Sequence, residues 1–241
     1  MKIALITGAS GDIGANIARR LASNGWSLYL HYHTNRAKID VLLEEFEEQY
    51  PKQEFYPIHV DLVQENAAEQ MKGQIFSLTA IVFAHGTTEY GLLQDLEPEK
   101  MDLLWNMHVK TPVLITQAFQ NKLHQQENGR IVFISSVYGE MGSSNEVFYS
   151  TVKGAQLAFV KAYSKEVASL GITVNAISPG AISTQMNNEF DEEDLLQLSA
   201  AIPLGRLGTT DEVSFWVEQL LQPESRYMTG QSLTVSGGWL K

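Results

Sequence analysis

The sequence predicts a doubly wound α/β fold: a mainly parallel sheet with helices on both faces. Three observations carry this prediction. Short apolar, β-rich runs alternate with helix-length amphipathic segments along the chain. The segments between runs are long enough for right-handed crossovers, so successive strands pair in parallel. A glycine cluster, Thr7-Gly8-Ala9-Ser10-Gly11-Asp12-Ile13-Gly14, stands at the first strand-to-helix junction, the crossing where such sheets bind dinucleotides.

Lys2 to Thr7 is an apolar strand that meets Gly8, after which Ile13, Ile17, Ala18 and Leu21 recur at helical spacing until Gly25. Trp26 to Tyr32 predicts a second strand. Ile39, Leu42, Leu43 and Phe46 mark an amphipathic helix closing before Pro51. Phe55 to Val60 and Ala80 to Ala84 predict short strands, with a weaker helix from about Gln64 to Lys72 between them. The helical region from Pro98 to Gln126 is expected to bend near Pro112, and Asn128-Gly129 introduces the strand Arg130 to Ser135. Val147 to Ala168 holds one Gly and no Pro, with Val152, Ala155, Phe159, Ala162 and Val167 at helical spacing. Ile172 to Ile177 predicts a strand, Asp211 to Leu221 a helix before Pro223, and Ser232 to Val235 the last strand. Residues 183–201 are the least regular and are acidic from Asn187 to Asp194; a lid or a loosely packed surface helix both suit that stretch.

With 241 residues and no repeat or linker, one domain spanning 1–241 is expected. The absence of Cys excludes disulfides, thiol nucleophiles and thiolate metal sites, and the six scattered His show no HxxxH spacing, so no metal is expected. The N-terminal apolar run is too short for a membrane span or signal segment, which predicts a soluble, cytoplasmic protein. A net charge of −11 repels nucleic acid and anionic membrane. Part of that charge is solvated surface, as at Glu44, Glu45, Glu47 and Glu48.

The chemistry centres on Tyr149 and Lys153, four apart and so on one helical face. A phenol titrates near ~10, and a fixed cation beside it favours phenolate, bringing it toward a working acid or base at neutral pH. The end of the second strand reads His31-Tyr32-His33-Thr34-Asn35-Arg36, with no carboxylate to hold ribose hydroxyls. Arg36, with His33, is suited to a 2′-phosphate, so NADP(H) is the expected cofactor.

The glycine turn, Asp61-Leu62, Ser136, Tyr149/Lys153, Asn175-Ala176-Ile177-Ser178-Pro179-Gly180, Thr229-Gly230-Gln231 and Gly237-Gly238 together resemble the short-chain dehydrogenase/reductase family over nearly the whole chain. The general likeness is to bacterial 3-oxoacyl-acyl-carrier-protein reductases, whose patterns are similar to Gly171-Ile172-Thr173-Val174-Asn175 and Pro203-Leu204-Gly205-Arg206-Leu207-Gly208. The resemblance implies a Rossmann-type sheet of seven strands in the order 3-2-1-4-5-6-7 and a homotetramer formed through the two long helices. It implies that Tyr149 donates a proton to a carbonyl oxygen, that Ser136, thirteen residues upstream, hydrogen-bonds that oxygen, and that Lys153 lowers the phenol's pKa and holds the nicotinamide ribose. It places Gly8, Ser10, Gly11, Asp12, Ile13 and Gly14 at the pyrophosphate, Asp61 and Leu62 at the adenine, and Pro179, Gly180, Ile182 and Thr184 at the nicotinamide end.

Four departures stand against the family pattern. Asp12 replaces a glycine. Phe83-Ala84-His85-Gly86 stands for Asn-Asn-Ala-Gly, leaving Ala84, His85 and Gly86 as the cofactor contacts after strand four. His108 takes the place of the helix asparagine that supports a water relay; it is either a proton relay or a packed structural histidine. Glu127 and Leu170 replace the basic residues that dock an acidic carrier. The segment Leu28 to Asn35 and His85-Gly86 also look similar to reductases of the 5-aminopentanone group on elongation factor P, whose amine would suit an acidic mouth at Glu89, Glu140 or Glu146. A ketone reductase of 3-oxoacyl type is therefore expected, with the aminopentanone branch as an alternative substrate and a catalytically weak cofactor sensor or scaffold as an alternative class.

Overall fold

Strand β1 (Ile3–Thr7) is buried at every position, and its alternate residues serve two cores: Ile3 and Leu5 on one face, Ala4 and Ile6 on the other. In the computed structural model, which describes residues 2–126, 128–185 and 192–239, β1 lies inside a seven-stranded sheet. The other strands are β2 (Ser27–Tyr32), β3 (Phe55–His59), β4 (Ala80–Phe83), β5 (Arg130–Ile134), β6 (Thr173–Pro179) and β7 (Ser232–Val235). All pairs are parallel, in the order β3-β2-β1-β4-β5-β6-β7, as the sequence led us to expect. The order reverses between β1 and β4, which opens a crevice beyond the carboxyl ends of those strands.

Helices α1 (Asp12–Ser23) and α2 (Arg36–Gln49) cover one face together with α9 (Thr210–Leu221), burying Ile17, Leu21, Ile39, Phe46, Val213 and Val217. The opposite face carries α3 (Ala67–Lys72), α5 (Thr111–His124) and α7 (Val147–Val167), which bury Met71, Phe119, Leu123, Leu157 and Val160. Helix α4 (Pro98–Trp105) leads into α5, α6 (Tyr138–Met141) is a single turn before α7, and α8 (Glu192–Ala201) follows β6. Phe133 shows what holds the second core: its ring packs 4.6 Å from Phe83 and 5.7 Å from Phe159 between centroids, so truncation to Ala should cost about 3–5 kcal/mol.

Helix α9 starts where Thr209 and Glu212 form a reciprocal capping box, each side chain bonding the other's backbone N–H. The weak third helix is shorter than expected, beginning at Ala67 because residues 61–64 close a turn on the Asp61 carbonyl. The expected bend near Pro112 is a π-helical segment at Asn106–Lys110, ahead of the proline. Its physical origin is local. Pro112 has no N–H, so the His108 carbonyl lacks its helical donor, and the Gln156 side chain from α7 donates to it instead at 2.8 Å. No described helix is long and apolar enough to cross a membrane. Of the proposed lid at 183–201, residues 186–191 lie outside the described residues.

Candidate active site

Strand β5 ends beside the N-terminal half of α7, and glycines let the chain close that gap. A Cβ on Gly139 of α6 would lie 2.8 Å from the Lys153 carbonyl carbon, so α6 rests backbone to backbone on α7. This seats Ser136 beside Tyr149, where the serine hydroxyl favours the ionised phenol. Ser136 Oγ is itself fixed by the Tyr138 N–H at 3.1 Å. Lys153, 3% exposed, lies one turn along α7 with Nζ 5.5 Å from the Tyr149 ring centroid and donates to Ile134 O at 2.9 Å.

Electrostatics at this pair differ from the expectation that Lys153 draws the phenol's pKa down. Burial pushes the Tyr149 phenol well above its ordinary value, helped by the Glu146 charge, and the Ser136 hydroxyl opposes this without cancelling it. Burial also lowers the Lys153 ammonium to about 7, so the lysine carries only part of its charge at neutral pH. Desolvation outweighs charge pairing in this arrangement. The phenol therefore stands protonated, which is the state a proton donor requires.

His108 is fully buried in the π-helical segment, its ring edge-on to Tyr149 with centroids 5.6 Å apart. Its Nε2 donates to Thr87 O at 2.8 Å; a carbonyl only accepts, so the proton is on Nε2 and Nδ1 is a bare acceptor. Among the described residues that Nδ1 has no hydrogen-bond partner, and neither has Gln156 Oε1. Burial and the Lys153 charge hold His108 neutral, well below its ordinary pKa. Gly86 is the residue that admits the ring, since a Cβ there would lie 2.5 Å from His108 Cε1.

The glycine turn has the shape of an anion cradle. Gly8 adopts φ +70°, a Cβ on Gly14 would stand 2.1 Å from Gly8 O, and α1 opens at Gly11 without a side-chain cap, leaving first-turn N–H groups for a phosphate. Below the turn, His31 accepts from Gly8 N–H at 3.1 Å and donates from Nε2 to Val60 O at 2.9 Å. Ser10 and Ile13 are half-buried at the same turn. Asp12 is turned sideways: Lys38 Nζ reaches one carboxylate oxygen at 3.2 Å and Gln185 N–H the other at 2.6 Å. Lys38, in the first turn of α2, is the cation that sequence reasoning missed; its spacing two residues after Arg36 was the available signal. A cavity of about 490 Å3 lies beside this group, lined by Asn16, Arg19 and Thr210 as well, but by neither Tyr149 nor Ser136.

Arg36 donates to Asp40 at 2.6 Å and to the Tyr32 hydroxyl at 3.2 Å, so an arriving phosphate has to compete with Asp40 for it. His33 faces Asp61 at 3.8 Å. Asp61 accepts from Val63 N–H, and Leu62 is buried with its carbonyl bonded by Thr111. Ala84 N–H bonds Thr7 O, which brings the β4 end to the glycine turn, while the His85 ring points down to Met107 O and Thr7. Pro179 O receives Val137 N–H, Gly180 N–H bonds Val235 O, Ile182 is bridged to Gly208, and half-buried Thr184 follows. The nicotinamide-end residues thus start from the β6 terminus next to Ser136. This set suits a phosphorylated dinucleotide: a glycine cradle, an uncapped helix and two cations without a ribose-binding carboxylate at the β2 end.

Each of the three carboxylates expected at the mouth has a partner. Glu89 pairs with Lys100 at 2.8 Å, and Glu140 accepts from Ser232 at 2.8 Å on β7. Glu146 alone acts on Tyr149; it is half-buried, receives the Thr88 hydroxyl at 2.7 Å, and burial raises its pKa. Leu170 packs against the core with its carbonyl taken by His124, so no cation stands there, and Glu127 lies outside the described residues.

A family model described as enoyl-(acyl carrier protein) reductase matches residues 8–240. A Bacillus subtilis (strain 168) protein named uncharacterized oxidoreductase YmfI is 38% identical over 239 residues, covering 99% of this chain and 98% of that protein. The 3-oxoacyl-[acyl-carrier-protein] reductase FabG of Staphylococcus aureus (strain N315) is 30% identical over 239 residues, covering 98% and 97%. Among solved structures, the angucycline C-6 ketoreductase LanV with bound NADP superposes with TM-score 0.92 at 25% identity, covering 99% of this chain and 95% of that one. A blue fluorescent protein from a metagenomic library, in complex with NADPH, gives TM-score 0.93 at 28% identity, covering 100% and 98%.

Proposed function

Because the chain belongs to the short-chain dehydrogenase/reductase family of oxidoreductases, we propose that it is an NADPH-dependent reductase converting a ketone to a secondary alcohol in the cytoplasm, of 3-oxoacyl type. The observation that carries this reading is the buried Tyr149 phenol beside Ser136, with Lys153 Nζ 5.5 Å from its ring and one helical turn along. NADPH, when bound, supplies the hydride. Tyr149 delivers the proton to the carbonyl oxygen and Ser136 orients that oxygen, while neutral His108 packs edge-on against the Tyr149 ring with Nδ1 free to accept a hydrogen bond. The glycine turn and the start of α1 hold the pyrophosphate, and Arg36, Lys38 and His33 answer the 2′-phosphate. The NADP and NADPH bound by two structural neighbours support this cofactor over NADH. The working form is a homotetramer assembled through the α4–α5 and α7 helices.

A second reading concerns the ketone. Glu146 is a half-buried carboxylate beside Tyr149 with no cationic partner among the described residues, which favours an amine-bearing ketone such as an aminopentanone group. NADPH oxidation decides both, measured with an acyl-carrier ketone, an amino-ketone and its neutral isostere. The 3-oxoacyl reading expects the acyl carrier to be the best substrate. The cationic reading expects the amino-ketone to lead, to lose ground with added salt, and to fall to the isostere's level in Glu146→Gln. Oxidation of NADPH with none of the three refutes both if it stays at background.

A further inference from the structure

Two of the departures from the family pattern hold each other's backbone. His85 Nε2 donates to Met107 O at 2.8 Å, and His108 Nε2 donates to Thr87 O at 2.8 Å. The loop after β4 and the π-helical segment are therefore stapled in both directions, with Gly86 between them leaving room for the His108 ring. The second nitrogen of His85 reaches the opposite way. Met107 O fixes the proton on Nε2, so Nδ1 accepts from the Thr7 hydroxyl at 2.6 Å. Thr7 ends β1 and precedes Gly8, and Gly8 is packed so closely that a Cβ on it would lie 2.6 Å from His85 Cα.

We propose that His85 is a positioning residue, tying the end of β1 at the glycine turn to the π-helical segment and so fixing His108 against the Tyr149 ring. His85 touches no substrate atom in this scheme and acts through His108. The need for such a tie follows from Pro112. A π-helical segment whose carbonyl ladder is interrupted has fewer internal bonds to define it, so Met107 O and His108 O are satisfied from outside, by His85 and Gln156. The titratable groups facing His85 are His31 and Lys153, and those facing His108 are Lys153 and His85. The proposal rests on the reading that Tyr149 is the proton donor, but its first test does not.

Asn and Gln separate the two bonds of His85. His85→Gln places an amide N–H near the position of Nε2 and keeps the donor to Met107 O; His85→Asn places an oxygen near Nδ1 and keeps only the Thr7 bond. In the cofactor-free protein, 15N-edited NMR of the imidazoles should show His108 as a single Nε2–H tautomer in the wild type and His85→Gln, and as a mixture of tautomers in His85→Asn. In turnover, His85→Asn should lower kcat about 10–100-fold with the ketone KM within about twofold, and His85→Gln should lose at least about threefold less kcat than His85→Asn. Placed in a His108→Asn background, His85→Asn should cost less than about threefold more, since its effect runs through the absent ring. An unaltered His108 tautomer in His85→Asn overturns the proposal. So do equal losses of kcat in the two His85 variants, or a full loss in the His108→Asn background. If the wild type reduces no ketone, the reductase reading fails and the tautomer measurement still decides the role of His85.

Discussion

Lowering the pH from 7.5 to 5.5 should destabilise this protein by about 4 kcal/mol through three buried histidines, His31, His85 and His108. His31 is 2% exposed and His108 fully buried, and each uses Nε2–H to bond a backbone carbonyl. A second proton on His31 would enter at Nδ1 and break the bond that holds Gly8 N–H. Burial accordingly lowers His31 to about 4, His85, which donates to Met107 O, to about 3, and His108 well below its ordinary value. All three folded pKa values lie under the unfolded one, near ~6.5. Stability is therefore complete above that value, falls as the unfolded chain takes up protons below it, and for His31 levels off near pH 4. At pH 5.5 an unfolded histidine is about ten to one protonated, which is worth about 1.4 kcal/mol for each residue. Glu146, with its raised pKa, acts with the opposite sign and tempers the loss. Urea unfolding followed by tryptophan fluorescence at the two pH values measures the difference, and His31→Gln should remove about a third of it. Equal midpoints at pH 7.5 and 5.5, or an undiminished pH effect in His31→Gln, would refute the reasoning.

Tyr149→Phe removes the transferable proton and should lower kcat by about 10²–10⁴-fold, with NADPH still binding in a fluorescence titration; unchanged turnover would send the search for the donor to another group. Arg36→Ala should narrow the preference for NADPH over NADH, and Lys38→Ala should weaken both cofactors by baring the Asp12 carboxylate beside the pyrophosphate turn. Competitive titration with the two cofactors checks this, an unchanged ratio in Arg36→Ala counting against its assignment. Thr209→Ala opens the capping box of α9 and should cost about 0.5–2 kcal/mol in urea unfolding without altering cofactor affinity.

What could be read from the sequence was what short-range spacing encodes. The β1–glycine–α1 junction, the Tyr149/Lys153 face and the alternation of strands and helices each depend on residues within a few positions of one another. Ends moved by one to three residues where turns and tertiary contacts decide them. The π-helical segment escaped because a proline disturbs the turn before it, and the compensation arrives from Gln156 on another helix. The Asp12–Lys38–Gln185 contact joins positions 173 residues apart, and no local pattern announces it. The direction in which the Tyr149 pKa moves was out of reach for a related reason: spacing revealed the lysine beside it, whereas burial, which raises it, is a property of the assembled layers.

The reversal of strand order between β1 and β4 also has a consequence for how the molecule comes to exist. Thr7 meets Val82 at a sequence separation of 75, and the β1–β4 seam is where the crevice opens. Closing so long a loop carries an entropic cost before any contact offsets it, so this seam belongs to the slow part of folding, after β1–β2 and β2–β3 have formed from nearer neighbours. A nascent chain on the ribosome cannot present the crevice until β4 has emerged, and Tyr149 and Lys153 follow later still. Dinucleotide can therefore act on the finished architecture, stabilising it by mass action, but has no binding site with which to guide the early steps.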